Sequence, residues 1–270
     1  VKYELSPEEM RLYDAVTDYV KQGLKRALAN AEGAEKRRGM AVGFALAALQ
    51  RRLASSPDAI FHSLRRRRER MEAQLTLAKS TGRSLDAVRA DFSVQATSDD
   101  LDPDDYDDDE FEAIEDEVIE AAFSARDIAE LEAEIREVKV LEQMAQELRQ
   151  SDIDKKWIEV RDILNGPVFN NREDLQKLII FSEHRDTVNY LVGKTRTLLG
   201  NEAIVEIHGG MGRDTRRAIQ EAFRTDPQVK VLIATDAAGE GVNLQRANLV
   251  INYDLPWNPN RIEQRFGRVH

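Results

Sequence analysis

The chain has 270 residues, of which 41% are hydrophobic, so it can bury the core of one large domain or of two ordinary ones. Charged residues make up 33% and aromatic residues only 6%, a balance that favours long solvated helices over a sandwich or barrel. The net charge of −11 argues against a protein that coats nucleic acid through bulk electrostatics, because that mode needs excess lysine and arginine. Any contact with nucleic acid is expected to be a local patch.

Cysteine is absent and there are only four histidines, which excludes disulfides and cysteine-ligated zinc, and no metal site is predicted. No apolar stretch approaches the roughly 20 residues that cross a bilayer, and the first residues lack the apolar core of a signal peptide. We therefore expect a cytoplasmic setting without membrane contact. Because the first residue is Val1 rather than methionine, we also expect a piece of a longer protein.

The amino-terminal region, residues 1–97, carries two signals for the start of a helix. Ser6-Pro7-Glu8-Glu9 combines a capping hydroxyl, a proline suited to the first turn and two acids that favour the helix dipole. Ser56-Pro57-Asp58 precedes large apolar residues that recur at multiples of about four positions. The region is therefore predicted to be helical.

An acidic run follows, with fourteen acids and no lysine or arginine between Asp99 and Glu120. Such a run repels itself and is typical of a mobile linker, which we place at residues 98–113. Beyond it, apolar residues recur every three or four positions from Ile114 to Leu148, which predicts one long amphipathic helix. This helix either pairs with the helix at Ile60–Lys79 as an arm or lies in a helical bundle.

A short helix from Asp152 to Leu164, closed by Asn165-Gly166-Pro167, is expected to complete the segment 114–166. From residue 167 the sequence pattern changes, because four short β-rich runs alternate with helix-like stretches. This alternation predicts an α/β domain at 167–270, with a parallel sheet covered by helices. Ligands on such sheets bind beyond the carboxyl ends of the strands.

Two segments imitate parts of a phosphate-binding site. Gly193-Lys194-Thr195 resembles the end of a P-loop, but position 188 is valine where the pattern needs glycine, and the segment lies inside a predicted helix. Val250–Asp254 resembles the strand and aspartate that hold magnesium beside a P-loop. Without that loop it is interpreted as an ordinary core strand.

Two other segments follow the strands and have the chemistry to meet phosphate. In the segment Ala234–Asn243, Thr and Asp stand at a strand end and two glycines allow close approach of the backbone. Glu263–His270 contains arginines near a helix that could stabilise a transferring phosphoryl group. Taken alone, a glycine-containing turn is common in any α/β protein and an arginine cluster is more often a solvated surface.

Together these segments resemble superfamily 2 helicases, specifically the Swi/Snf-type ATPases and their bacterial relatives. Residues 178–182 resemble motif IV, residues 234–245 motif V and residues 264–270 motif VI, and their order and spacing agree with the family. The resemblance implies a RecA-like carboxyl-terminal helicase lobe at 167–270, preceded by a helical region.

The resemblance also implies roles by position. Arg268 matches the first arginine finger of motif VI, and Gln264 opens that motif facing the nucleotide, so both are predicted catalytic residues. Nucleotide-contacting positions match Gly239, Gly241, Asn243 and Arg265. Positions that touch the nucleic-acid backbone match Ser182, His208, Gly209 and Thr235.

No P-loop is present in the 270 residues, and family members carry a second finger three residues after Arg268. The implied protein is an ATP-dependent translocase on nucleic acid, expected to be double-stranded DNA. Its amino-terminal RecA-like lobe, which would bind ATP and Mg²⁺, is expected to be missing here, so the chain alone is predicted to be inactive.

The alternative hypothesis is a protein-interaction or regulatory module, in which the helical part binds a protein partner and the RecA-like part is a scaffold. The arginines at 65–68 and 70 bear on this choice. They are interpreted either as a phosphate-binding patch or, more often for such clusters, as a solvated helix face.

Overall fold

The computed structural model describes residues 4–28, 47–89, 91, 114–116, 125, 127–151, 153–170, 177–236, 246–256 and 259–267. The chain divides into two compact units. The helical unit comprises Leu5–Asp105 and Phe111–Ile153, and the sheet unit consists mainly of Asp154–His270. The predicted linker at 98–113 lies outside the described residues.

The helical unit contains helices whose bounds are defined within the described residues. They are α1 (Pro7–Leu28), α2 (Pro57–Thr81), α3 (Leu85–Arg89) and α4 (Ile128–Gln150). Residues 47–55 and 114–116 are also helical. No described helix is both long enough and apolar enough to cross a membrane.

Both predicted helix starts are confirmed. At α1 the Glu9 backbone N–H donates to Ser6 Oγ (3.1 Å), and the Ser6 N–H donates to a Glu9 carboxylate oxygen (2.6 Å). This reciprocal capping box satisfies two backbone donors that the first turn would otherwise leave unpaired. At α2, Ser56 Oγ accepts from the Ala59 N–H (3.0 Å).

The predicted single helix from Ile114 to Leu148 is wrong in its start. Helix α4 begins at Ile128, because Asp127 adopts an extended backbone and its carboxylate accepts from the Glu130 N–H (2.9 Å). A capping aspartate fixes the start of a helix, because its side chain satisfies a first-turn N–H. The apolar spacing continues on the N-terminal side of this cap and by itself predicts a longer helix. The expected buried face is confirmed from Leu131 to Leu148.

Helices α2 and α4 pack against each other in an antiparallel arrangement, as the order of their ion pairs along the two helices shows. Residues that advance along α2 meet residues that recede along α4 in the pairs Asp58–Arg149, Arg68–Glu142, Glu72–Lys139 and Lys79–Glu132. Helix α1 also contacts α4, and Leu12, Val16 and Val20 lie in the same apolar core. The predicted pairing is confirmed, within a helical bundle.

The arginine cluster of α2 is engaged inside the helical unit. Arg67 is only 7% exposed and donates to the Tyr19 hydroxyl (2.8 Å) and to Glu134 (2.6 Å). Arg66 pairs with Asp116 (2.9 Å), and Arg65 pairs with Glu69 one turn along the helix. The interpretation as a solvated face is wrong for Arg67, because its guanidinium is buried among these partners.

The sheet unit alternates strands and helices. Its described elements are α5 (Lys155–Asn165), β1 (Leu178–Ser182), α6 (Arg185–Leu199), β2 (Ile204–Ile207), α7 (Arg213–Thr225), β3 (Val231–Thr235), β4 (Leu249–Asn252) and α8 (Pro259–Gly267). A short 3₁₀ turn at Asn201–Ala203 precedes β2.

The described strands form a four-stranded parallel sheet in the order β2-β3-β1-β4. Alternate residues of β1 enter two different apolar clusters. Leu178 and Ile180 pack with α5 and α6, whereas Ile179 and Phe181 pack with Phe223 of α7. Helices therefore cover both faces, as parallel sheets require, and the predicted RecA-like α/β fold is confirmed.

Helix α5 belongs to the sheet unit, which begins at Asp154 rather than at the expected residue 167. Trp157, Val160 and Leu164 are buried against the sheet, and the Tyr253 hydroxyl donates to the Asp154 carboxylate (2.9 Å). The turn at 165–167 ends the helix but not the unit, because apolar contacts continue across it. The P-loop imitation Gly193–Thr195 lies inside α6, as expected.

Candidate functional site

The carboxyl ends of the described strands bring the predicted nucleic-acid residues to one edge of the sheet. Ser182 ends β1 and is the register partner of Thr235, which ends the neighbouring strand β3. His208 directly follows β2, on the other side of β3. Because all four strands are parallel, these residues lie at the same edge.

The two strand-end hydroxyls have different surroundings, although both side chains are fully buried. Ser182 Oγ donates to an Asp254 carboxylate oxygen (2.6 Å) and accepts from the His184 N–H (3.3 Å). The other Asp254 oxygen accepts from the Glu183 N–H (2.7 Å). Thr235 Oγ1 has no hydrogen-bond partner within the described residues, although it is as fully buried as Ser182 Oγ.

The turn after β2 is held by a side chain from α7. Arg216 Nε donates to the Met211 carbonyl (2.7 Å), and its Nη2 donates to the Gly209 carbonyl (2.5 Å). The Met211 N–H in turn donates to the His208 carbonyl (3.2 Å). A guanidinium bound to two carbonyls restrains the backbone of the turn, so His208 and Gly209 sit on a fixed segment.

Arg265 of α8 connects the ends of β3 and β4. Its Nε and Nη2 donate to the two carboxylate oxygens of Asp236 (2.5 and 2.6 Å), a bidentate pair. Its Nη1 donates to the Asn252 side-chain oxygen (2.9 Å) and to the Asp254 carbonyl (3.1 Å). Arg265 is 1% exposed, and its guanidinium carbon lies 5.3 Å from the centre of the Phe181 ring. The charge of this buried cation is balanced by Asp236.

Two further groups have perturbed pKa values, Tyr253 directly after β4 and Lys177 before β1. Burial raises the pKa of Tyr253 well above its ordinary value, and the neighbouring Asp154 raises it further. Burial and then repulsion from Arg246 lower the pKa of Lys177. Lys177 precedes β1, at the opposite edge, and its Nζ donates to the carbonyls of Phe223, Asp226 and Val229 (2.5, 2.8 and 2.7 Å). Its role is to bind the end of α7 and the approach to β3.

The structure thus assembles Ser182, Thr235, His208 and Gly209 at one edge, with Arg265 among the strand ends. Gln264 lies in α8. The remaining predicted residues lie outside the described ranges: Gly239, Gly241, Asn243 and Arg268. The described part of the chain holds no group of three acidic or histidine side chains that could bind a metal ion.

Several residues of this edge carried little or no signal in the sequence. The sequence predicts Asp254 only as the end of a core strand that resembles a magnesium site, yet its carboxylate accepts a hydrogen bond from Ser182. Asn252 lies in the same segment but is given no role by that resemblance, and Arg216 lies in no motif. Asn252 accepts a hydrogen bond from Arg265, 13 residues away, and Arg216 donates to the Gly209 carbonyl in the turn after β2. Only the folded structure reveals these contacts.

Comparison with known proteins agrees with this geometry. The family described as "Helicase conserved C-terminal domain" matches residues 155–270. An uncharacterized ATP-dependent helicase, YqhH of Bacillus subtilis (strain 168), is 48% identical over 96 residues, covering 35% of this chain and 16% of that protein. The ATP-dependent RNA helicase FAL1 of Meyerozyma guilliermondii is 35% identical over 94 residues, covering 35% of this chain and 23% of that protein.

The chain therefore spans less than a quarter of the length of these curated relatives. Among solved structures, the C-terminal part of the Fun30 ATPase domain is similar in fold, with a TM-score of 0.52 and 17% identity. That similarity covers 100% of this chain and 78% of the solved one. Residues 155–270 are therefore similar to helicase C-terminal domains, and the parallel sheet covered by helices on both faces is the RecA-like α/β fold.

Proposed function

We propose that these residues belong to an ATP-dependent motor of the Swi/Snf type that moves along double-stranded DNA. In this motor the sheet unit supplies one wall of the ATP cleft and part of the grip on nucleic acid. The observation that carries the proposal is the register pairing of Ser182 with Thr235, beside the His208–Gly209 turn. The relatives YqhH and FAL1 are named as ATP-dependent helicases, FAL1 as an RNA helicase, and these names support the ATP-dependent motor but not the choice of DNA.

The chemistry of this edge suits contact with a nucleic-acid backbone. Hydroxyl groups and backbone N–H groups bind phosphate oxygens through hydrogen bonds that carry no sequence information. A motor that advances along any sequence needs contacts of this kind. Because the chain has a net charge of −11, we expect it to bind nucleic acid through a localised site of this kind.

The ATP cleft is proposed to form between this lobe and an amino-terminal RecA-like lobe outside the chain. Arg268 would then stabilise the γ-phosphate when the lobes close, with Gln264 beside it. Gly239, Gly241 and Asn243 would approach the nucleotide from the segment after β3. Mg²⁺ and the phosphates would be held mainly by the other lobe, because the P-loop pattern is absent from these 270 residues.

The test compares the 270-residue chain with the full-length protein. We expect no ATP hydrolysis by the chain alone, and hydrolysis by the full-length protein that duplex DNA stimulates more than single-stranded RNA does. Stimulation by RNA alone would contradict the choice of DNA. Turnover by the 270 residues alone would contradict the need for a second lobe.

The helical unit is not assigned to nucleic-acid binding. Its α2 arginines are paired with acids of the same unit, as at Arg67–Glu134 and Arg66–Asp116, and paired guanidinium groups are poor phosphate ligands. Contact with a protein partner through this unit remains a proposal. A pull-down with the helical unit intact and with exposed Arg65 substituted would test it.

A further inference from the structure

Helix α7 carries two exposed arginines at the edge of the sheet where the strands end. The helix begins directly after the turn at 208–212, which follows β2. Arg213 is its first residue and Arg217 lies four positions later, so both project from one side of the helix, roughly 6 Å apart along its axis. Both residues are exposed, whereas the side chains of Ser182 and Thr235 at the same edge are fully buried.

These two cations are not neutralised by the chain itself. Neither Arg213 nor Arg217 forms a hydrogen bond or an ion pair with any residue that the structure describes, and the exposed Asp214 is not within ion-pair distance of either. At the other end of the helix, Arg224 does pair with Glu221 (2.8 Å). Two positive charges at the start of α7 are therefore open to an external anion.

The intervening Arg216 has a different task. Its donors bind the carbonyls of Met211 and Gly209, so it fixes the turn after β2 against α7. Arg213 and Arg217 are thereby held at a constant distance from that turn. A positive charge in the first turn of a helix opposes the helix dipole, which favours acidic residues there. The placement of Arg213 therefore does not serve the stability of α7.

We propose that Arg213 and Arg217 form a phosphate-binding site, which extends the grip on duplex DNA from the turn after β2 onto α7. This inference rests on the proposed function and adds two residues to it. A guanidinium group presents planar donors that match phosphate oxygens. Duplex DNA carries about one negative charge for each 1.7 Å of its axis, so two arginines roughly 6 Å apart can each meet a phosphate. On a chain with a net charge of −11, this pair supplies a local positive surface.

The test measures the affinity of the full-length protein for duplex DNA as the salt concentration changes. An arginine that neutralises a phosphate releases counterions, and its loss makes the slope of log K against log salt shallower by about 0.9. We expect this change for Arg213→Gln and for Arg217→Gln, and about 1.8 for the double variant. Fluorescence anisotropy with a labelled duplex between about 50 and 200 mM salt measures it. Lysine at both positions is expected to keep most of the slope, because it keeps both charges.

Two control variants remove a cation elsewhere in the sheet unit. Arg224→Gln lies on the same side of α7 as Arg213 but roughly 16 Å further along the axis, where Arg224 already has an acidic partner. Lys230→Gln removes an exposed cation directly before β3, at the opposite edge of the sheet. Neither control is expected to change the slope. Because Arg213 and Arg217 are exposed, their variants are expected to unfold at the wild-type temperature, as measured by circular dichroism.

DNA-stimulated ATP hydrolysis gives a second readout. The double variant is expected to need more DNA for half-maximal stimulation, while kcat at saturating DNA stays at the wild-type value. A fall in kcat at saturating DNA with an unchanged DNA requirement would overturn the inference, because it would assign the arginines to catalysis rather than to binding.

The salt dependence has two contradicting outcomes of its own. One is an unchanged slope in the double variant, and the other is an equal loss of slope in Lys230→Gln, which would indicate a dependence on overall charge. If the wild-type protein does not bind duplex DNA, the proposed function fails and this inference fails with it. Wild-type binding with an unchanged slope in the double variant would refute the inference alone.

Discussion

Arg67 of α2 and Glu134 of α4 form an ion pair at 2.6 Å in which both side chains are less than 10% exposed. The Tyr19 hydroxyl completes the cluster, since it donates to Glu134 (2.9 Å) and accepts from Arg67. Burial raises the pKa of Tyr19, so this hydroxyl stays protonated as a donor. Three helices thus share one buried polar cluster.

Arg67→Met is expected to destabilise the helical unit by about 3–5 kcal/mol, because it leaves the Glu134 charge buried without its partner. Replacing the cluster together, by Arg67→Met, Glu134→Leu and Tyr19→Phe, is expected to recover most of that loss, since no charge then remains buried. Urea unfolding measures both. A matched control is Arg65→Met, at an exposed pair, with an expected cost of about 0–1 kcal/mol. A triple variant as unstable as the single one would contradict this account.

The stability of the helical unit is also expected to depend on pH through Asp116. Burial raises the pKa of this carboxyl, but Arg52 and Arg66 outweigh burial and leave it below its ordinary value of 3.8. A depressed folded-state pKa adds stability above the unfolded-state pKa and loses it as the pH falls through the folded-state value.

We therefore expect Asp116→Asn to be less stable than wild type at pH 7, with the difference shrinking below about pH 4. Urea unfolding at pH 7, 5, 4 and 3 measures it. Asp14→Asn, at an exposed position of α1, is the control. A difference between Asp116→Asn and wild type that stays constant down to pH 3 would argue against the ion pairs as its source.

Thr235→Val and Ser182→Ala are expected to have opposite effects on stability. Valine matches the shape of threonine and removes a buried hydroxyl that has no partner within the described residues, so stability is expected to be equal or higher by up to about 1 kcal/mol. Ser182→Ala removes the hydroxyl that donates to one of the two Asp254 carboxylate oxygens and is expected to cost about 1–3 kcal/mol. Thermal unfolding compares them.

The effect of Thr235→Val on nucleic-acid affinity is expected to differ from its effect on stability. If Thr235 contacts nucleic acid as proposed, Thr235→Val removes one neutral hydrogen bond to the nucleic-acid backbone, worth about 0.5–1.5 kcal/mol, and is expected to weaken DNA affinity by a few-fold to about tenfold in fluorescence anisotropy. Val231→Ile in the same strand controls for packing. Unchanged affinity of the Thr235→Val protein would remove this hydroxyl from the grip.

Much of the sheet unit was predictable, because its signals are local. Apolar runs such as Leu178–Phe181 specify buried strands whatever their neighbours, and alternation with helices specifies parallel pairing. The strand ends then place Ser182 and Thr235 at one edge. The start of α4 was not predicted, because the apolar residues keep their helical spacing on both sides of Asp127. Only the side chain of Asp127, which caps the helix, marks where α4 begins.

The sequence by itself determined the parallel α/β fold, the amphipathic helices and the edge at which the strand-end residues meet, because each depends on periodicity or on the order of elements, and the resemblance of its motifs implied the RecA-like type. Only the tertiary structure decided that Arg67 is buried rather than solvated, and that Arg265 binds Asp236 and Asn252 within the lobe. The amino-acid sequence does not distinguish a buried arginine from a solvated one. The role of an arginine depends on which acceptor groups folding brings within hydrogen-bonding distance, and those partners, Glu134, Asp236 and Asn252, lie 67, 29 and 13 residues away.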